Sequence, residues 1–170
     1  CTASTSVNIS EPPVLTAAIL SVSNYNGFNI SCNGGSDGWA QVTPGGGVAP
    51  YTYESSDAQT TAMASNLAAG YYEVTVTDAN GCSVTVSITI TEPTAVQASI
   101  SATDALCNGS ADGTVDVIAN GGTGALSYAL NGGTSQGTGN FAGLPAGNYT
   151  VVVTDANGCS SSCSETLTVY

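Results

Sequence analysis

The chain has 170 residues, room for one ordinary domain or two small ones, and its charges are all of one sign: twelve acids, no Lys, no Arg, no His, net −12. Nucleic acid and anionic membrane surfaces are excluded as partners, because both are held through Lys and Arg. Most enzyme mechanisms fall away too, since only carboxylates, hydroxyls and thiols remain for chemistry and no metal site can be built on His.

Disorder does not fit a chain that is 42% apolar and only 7% charged, with a mean hydropathy of +0.17. No apolar run approaches the roughly 20 residues of a membrane helix, so direct membrane insertion is not expected. No secretory leader is visible, and the sequence reads as a mature product or a piece of something longer. Six Cys in an acidic, polar chain point to an oxidising, extracellular setting.

Taken in chain order, the first element is a fragment. Cys1 stands ten residues before Glu11-Pro12, as Cys82 stands ten residues before Glu92-Pro93. Residues 1–12 therefore read as an orphan final strand and linker of a preceding or neighbouring domain. Either the chain was cut from a longer array, or residues 1–10 complete another copy by strand addition, as in a self-assembling fibre.

After it the sequence repeats. Cys32-Asn33-Gly34 and Asp37-Gly38 return as Cys107-Asn108-Gly109 and Asp112-Gly113; Gly46-Gly47 returns as Gly121-Gly122; Thr77 to Cys82, Thr-Asp-Ala-Asn-Gly-Cys, returns as Thr154 to Cys159. The period of about 77 residues gives two tandem domains, 13–93 and 94–170.

Each domain reads as all-β. Val84–Ile90 alternates apolar with polar residues, the period of a half-buried strand, and Tyr72–Val76 and Tyr149–Val153 read as strands of the same kind. Asp-Ala-Asn-Gly between such strands reads as a tight hairpin. The Ala-rich stretch Asp57 to Leu67 resembles a helix in composition, but Thr60-Thr61 and its Gly/Ser-rich counterpart 132–139 argue against one. Short strands broken by Gly, Asn, Asp and Pro suggest a sandwich.

The repeated cysteines read as structural disulfides, with Cys32–Cys82 and Cys107–Cys159 as the natural pairs because each pair brackets one domain. Closing a loop of about 50 residues is worth roughly 4 kcal/mol in the chain-entropy model. Cys1 and Cys163 are left over as candidates for an intermolecular disulfide.

Asp37, Asp78, Asn80, Asp112, Asp155 and Asn157 stand in Gly-rich turns, where oxygen ligands for Ca²⁺ are expected, and a divalent cation would relieve self-repulsion. Turn chemistry, in which Asp and Asn bond nearby backbone N–H groups, is the competing explanation for the same residues. Tyr72 and Tyr149, each following Leu-x-Ala-Gly, read as tyrosine corners, ring buried and hydroxyl bonded to nearby backbone. Trp39, the sole Trp, and Tyr51 are the candidates for an exposed sugar-binding platform that contacts surface glycans.

The ordered motifs Cys-Asn-Gly-x-x-Asp-Gly, Gly-Gly-x-x-Pro-Tyr-x-Tyr, Asn-Leu-x-Ala-Gly-x-Tyr-x-Val-x-Val-Thr-Asp-Ala-Asn-Gly-Cys and Thr-x-Thr-Glu-Pro resemble the SprB repeat, found in very large surface adhesins of Bacteroidetes-type bacteria. The resemblance is fullest from Cys32 to Cys82; the second domain departs from it at Ala125-Leu126-Ser127-Tyr128. It implies an immunoglobulin-like sandwich, a bacterial cell-surface location and a non-catalytic structural or adhesive role in gliding and attachment, with neighbouring repeats or copies of the same protein as partners, end to end.

Overall fold

The computed structural model describes residues 1 and 3–169, and every regular element among them is a strand. Domain one contains β1 (Thr16–Val22), β2 (Gly38–Gly45), β3 (Thr52–Ser55), β4 (Met63–Leu67), β5 (Gly70–Thr77) and β6 (Ser83–Ile90). Domain two repeats them as β7 (Gln97–Thr103), β8 (Gly113–Asn120), β9 (Ser127–Leu130), β10 (Asn140–Leu144), β11 (Gly147–Thr154) and β12 (Ser160–Leu167).

Four antiparallel sheets result, β1-β2-β4 and β3-β5-β6 in domain one, β7-β8-β10 and β9-β11-β12 in domain two. Two three-stranded sheets with this crossover order form an immunoglobulin-like sandwich, so the chain is two of these in tandem.

Sequence alternation builds the longest ladders. In β6 the residues Val84, Val86, Ile88 and Ile90 face inward while Ser and Thr face solvent, and the strand pairs with β5 without a break, from Gly70↔Ile90 to Thr77↔Ser83. Facing hydroxyls tie the outer surfaces: Thr75 and Thr85 are 3.1 Å apart, Thr150 and Ser164 2.9 Å. The Asp57–Leu67 stretch forms a turn and then β4, not a helix.

The cores are thin. Domain one buries Ile30, Ala40, Ala64, Leu67 and Ile90 at one end and Val42, Val74 and Val76 at the other. Domain two buries Val115, Val117, Tyr149, Val151, Val153 and Leu167 in one cluster. Cys163 occupies the inward position on β12 that Val86 holds on β6, half-buried and packed on that cluster. It packs there as a small apolar residue with a free thiol, and burial pushes its thiol pKa up.

Ile90 and Leu167 are counterparts, 1% and 2% exposed. Ile90→Ala and Leu167→Ala are each expected to cost about 2–5 kcal/mol. The loss should be confined to the altered domain in urea unfolding followed by tyrosine fluorescence, and a loss below about 1 kcal/mol would place the core elsewhere.

Candidate functional site: the junction between the domains

The two ends of each sandwich carry different groups. At the leading end of domain one, the β2–β3 loop, the start of β1 and the β5–β6 hairpin meet: Gly47 N donates to Pro13 O (2.7 Å), Ala79 N to Val48 O (2.8 Å) and Val48 N to Asp78 Oδ2 (3.0 Å). At the trailing end, the β1–β2 loop lies against the chain leaving β6: Asn29 N and Ile30 N both donate to Thr91 O.

Cys82 thus opens β6 and Cys32 lies beside its far end. Eight residues of strand separate them, roughly 27 Å at about 3.4 Å per residue. A disulfide tolerates a Cα separation of only about 4.4–6.8 Å. The within-domain pairs Cys32–Cys82 and Cys107–Cys159 are therefore corrected. The structure joins Cys32 to Cys159, Cα atoms 5.6 Å apart, across the junction between the domains. Cys1, Cys82, Cys107 and Cys163 are free.

Hydrogen bonds surround the bridge. Asn33 Nδ2 donates to Pro93 O (3.0 Å), and Gly34 N to Glu92 Oε2 (2.6 Å). Asn157 Nδ2 donates to Ser31 O (3.0 Å) while its Oδ1 accepts from Asn26 Nδ2 (2.6 Å). Pro93, which fixes φ where the linker enters domain two, is fully buried. The sequence reading missed Asn26; its signal was Asn26-Gly27 between Tyr25 and Phe28, a two-residue hairpin pattern, here closed by mutual Tyr25–Phe28 backbone bonds with φ of 52° and 99° at the turn.

Asp155 shapes the hairpin that presents Cys159. Its Oδ1 accepts from Asn157 N (2.9 Å) and Cys159 N (2.8 Å), and its Oδ2 from Thr123 N (2.8 Å) and Thr123 Oγ1 (3.1 Å). Asp78 does the same in domain one, with Oδ1 accepting from Asn80 N and Cys82 N. The approach requires glycine: a Cβ on Gly122, at φ +65°, would lie 2.7 Å from Asp155 Oδ2.

Asp37 and Asp112 instead brace the loops that hold Cys32 and Cys107, accepting from Ser31 N and Leu106 N at 3.1 Å. These carboxylates stand at separate turns with backbone N–H groups as partners. Among the described residues no three His, Cys, Asp or Glu side chains gather as a metal cluster.

The aromatic candidates are dispersed. Tyr72 and Tyr149 donate their hydroxyls to Ala68 O (3.1 Å) and Pro145 O (2.8 Å), four residues back. Trp39 points outward from β2, half-buried between the inward-facing Gly38 and Ala40. Tyr51 packs on the Val42–Val76 cluster with its hydroxyl on Gly46 O (2.6 Å). The structure does not bring Trp39 and Tyr51 onto one surface. Residues 3–10 form no regular element and are exposed; Val7 and Ile9, counterparts of Ile88 and Ile90, are 83% and 91% accessible.

Strand order and junction define a class: tandem immunoglobulin-like repeats joined covalently from one repeat to the next. Residues 28–60 and 99–135 match the SprB repeat. No curated protein matches it. In fold it is similar to the N-terminal four Ig domains of Dscam1 isoform 9.44 (13% identity, TM-score 0.38, 95% of this chain and 47% of that one). It is also similar to fibronectin(III)-like modules of Clostridium thermocellum CbhA (12% identity, TM-score 0.37, 91% and 93%). A further Dscam structure aligns at 12% identity and TM-score 0.36 over 84% of this chain and 42% of that one, so the chain spans under half the length of the Dscam chains.

Burial pushes the Asp155 and Asp78 carboxyls up, but their backbone N–H donors outweigh it and hold both below the usual carboxylate range. A depressed folded pKa adds stability that is complete above the unfolded carboxylate value, about 4, and is lost as pH falls through the folded value. Thermal midpoints are therefore expected to be level above pH 5 and to fall below pH 4. Asp155→Asn should lower the domain-two midpoint at pH 7 and flatten its acid limb; an unaltered limb would contradict this role.

Proposed function

We propose that the chain is a tension-bearing spacer from a long bacterial surface adhesin or filament, a non-catalytic module that stacks end to end with its neighbours. The coarser part of this reading, a repeat-type extracellular structural module, follows from the SprB match. The finer part is carried by the Cys32–Cys159 bridge across the junction.

Inter-domain interfaces within a chain are by default small and mobile. A covalent bridge with Asn33, Gly34 and Asn157 bonded around it removes that freedom. It also reroutes force. Tension on the two ends enters along β1, crosses from Cys32 to Cys159 and leaves along β12, so the intervening chain is shielded. An all-acidic surface without Lys or Arg suits exposure outside the cell, because it keeps copies soluble and offers no site to proteases that require a basic residue.

Single-molecule pulling between the termini tests this. Reducing the bridge, which spans 127 residues, should lengthen the fully unravelled chain by about 440 Å, at about 3.5 Å per residue. Equal lengths with and without reductant would refute a spacer that bears force through this bridge.

A further inference from the structure

The domains meet through side-chain amides as well as sulfur, and one of those amides belongs to a labile pair. Asn157 precedes Gly158 at the tip of the β11–β12 hairpin. In an Asn-Gly pair no side chain hinders the following backbone nitrogen as it approaches the asparagine Cγ. Such a pair loses ammonia through a succinimide more readily than other asparagines, provided its side chain is free to turn.

Asn157 is clamped instead. It is half-buried, its Nδ2 donates to Ser31 O (3.0 Å) and its Oδ1 accepts from Asn26 Nδ2 (2.6 Å). Ser31 and Asn26 belong to domain one, so both bonds cross the junction. Asn26 is itself held, because Gly27 N donates to Asn24 Oδ1 (2.8 Å) and Tyr25 and Phe28 close the turn. The other bonds at the hairpin tip stay within domain two: Asn157 N to Asp155 Oδ1 (2.9 Å), and Gly158 N to Asp155 O, long at 3.2 Å. Cys159, two residues after Asn157, anchors this hairpin to the Ser31–Cys32 loop. The bridge thus controls whether the Asn157 side chain can move.

We infer that Asn157 is a modification site that the Cys32–Cys159 bridge keeps shut. Reduction of the bridge by a dithiol lets Asn157-Gly158 convert to aspartate or isoaspartate, and the new carboxylate keeps the junction from closing again. The inference rests on the bridge and the bonds around it, and is independent of the force-bearing role proposed above.

In the first step the dithiol is oxidised to its disulfide, and the Cys32 and Cys159 sulfurs take up its two protons. Gly158 N then attacks Asn157 Cγ. The N–Cγ bond forms, the Cγ–Nδ2 bond breaks, and Nδ2 leaves as ammonia, with the Gly158 amide proton delivered through solvent. Water adds to either carbonyl of the succinimide and opens the ring, which leaves the carboxylate on the side chain in aspartate or on the main chain in isoaspartate. Either product removes the donor to Ser31 O. In aspartate a negative oxygen faces that carbonyl; in isoaspartate the hairpin main chain gains a methylene. Both add charge close to the Asp155 carboxylate, in a chain with no Lys, Arg or His to offset it.

The test incubates the whole chain in heavy-oxygen water at mildly alkaline pH, with and without dithiothreitol, and reads the label at each asparagine by peptide mapping. Asn131-Gly132, exposed after β9 and away from the junction, is the internal reference. Label at Asn157 should rise about tenfold on reduction, the change that about 1.4 kcal/mol of clamping supplies, while Asn131 is unaltered. Equal label at Asn157 with and without reductant, or a rise shared by Asn131, would overturn the inference.

A second arm compares Asn157→Asp with Asn131→Asp in a glutathione redox buffer. The two variants gain the same charge, and Asp at 131 still accepts from Thr150 N as Asn131 Oδ1 does. The equilibrium constant for forming the bridge should fall about tenfold in Asn157→Asp and stay at the parent value in Asn131→Asp. The same constant in both variants would contradict a carboxylate that holds the junction open. Either failure leaves the spacer reading standing, whereas an oxidised parent without the Cys32–Cys159 bridge would bring down both.

Discussion

A sandwich separates its two ends by the length of its strands, and in this chain that distance governs how sulfur can pair. The cysteine in the β1–β2 loop and the cysteine of the β5–β6 hairpin sit at opposite ends of β6, too far apart to bond within one domain. Stacking the domains brings the trailing end of one against the leading end of the next, and Cys32 then meets Cys159. In the chain-entropy model a loop of 127 residues constrains the unfolded state by about 5 kcal/mol. For two thin cores that is a large share of the total, and it fixes the relative position of the domains, which the cores alone do not control.

The carboxylates serve the same end. With no Lys, Arg or His in the chain, they have no side-chain cation to pair with, and Asp78 and Asp155 are satisfied by backbone N–H groups of the hairpin and the facing loop. The charge is placed where it orders the turn that carries the cysteine. Asp37 and Asp112 do likewise for the partner loop. The acidic turns brace the loops and hairpins that carry the cysteines.

Much of this was legible in the sequence, for identifiable reasons. Ser83–Ile90 and Tyr72–Val76 announce themselves because apolar and polar residues alternate strictly, and Asp-Ala-Asn-Gly between them fixes the hairpin. The repeat was plain because its motifs recur at a nearly constant spacing, Gly46-Gly47 and Gly121-Gly122 among them, and in the structure Gly47 and Gly122 each lie close against an aspartate. The sulfur pairing was not legible. Pairing within a repeat and pairing across a junction obey the same period, so repeat equivalence could not choose between them; the choice depends on which end of the sandwich each cysteine occupies. The place of Cys163 was not legible for want of the β12 register, which sets it opposite Val151 and on the core. Trp39 could not be assigned a face before the β2 pairing was known, and that pairing turns it outward.

The central claim is the covalent junction, and disulfide mapping tests it most directly. The oxidised protein would be alkylated, then cut at Asp, Glu and aromatic residues, since it contains no site for trypsin. Mass spectrometry without reduction should find the Cys32 peptide joined to the Cys159 peptide, with Cys163 alkylated only after unfolding. Peptides joining Cys32 to Cys82 and Cys107 to Cys159 would contradict the account.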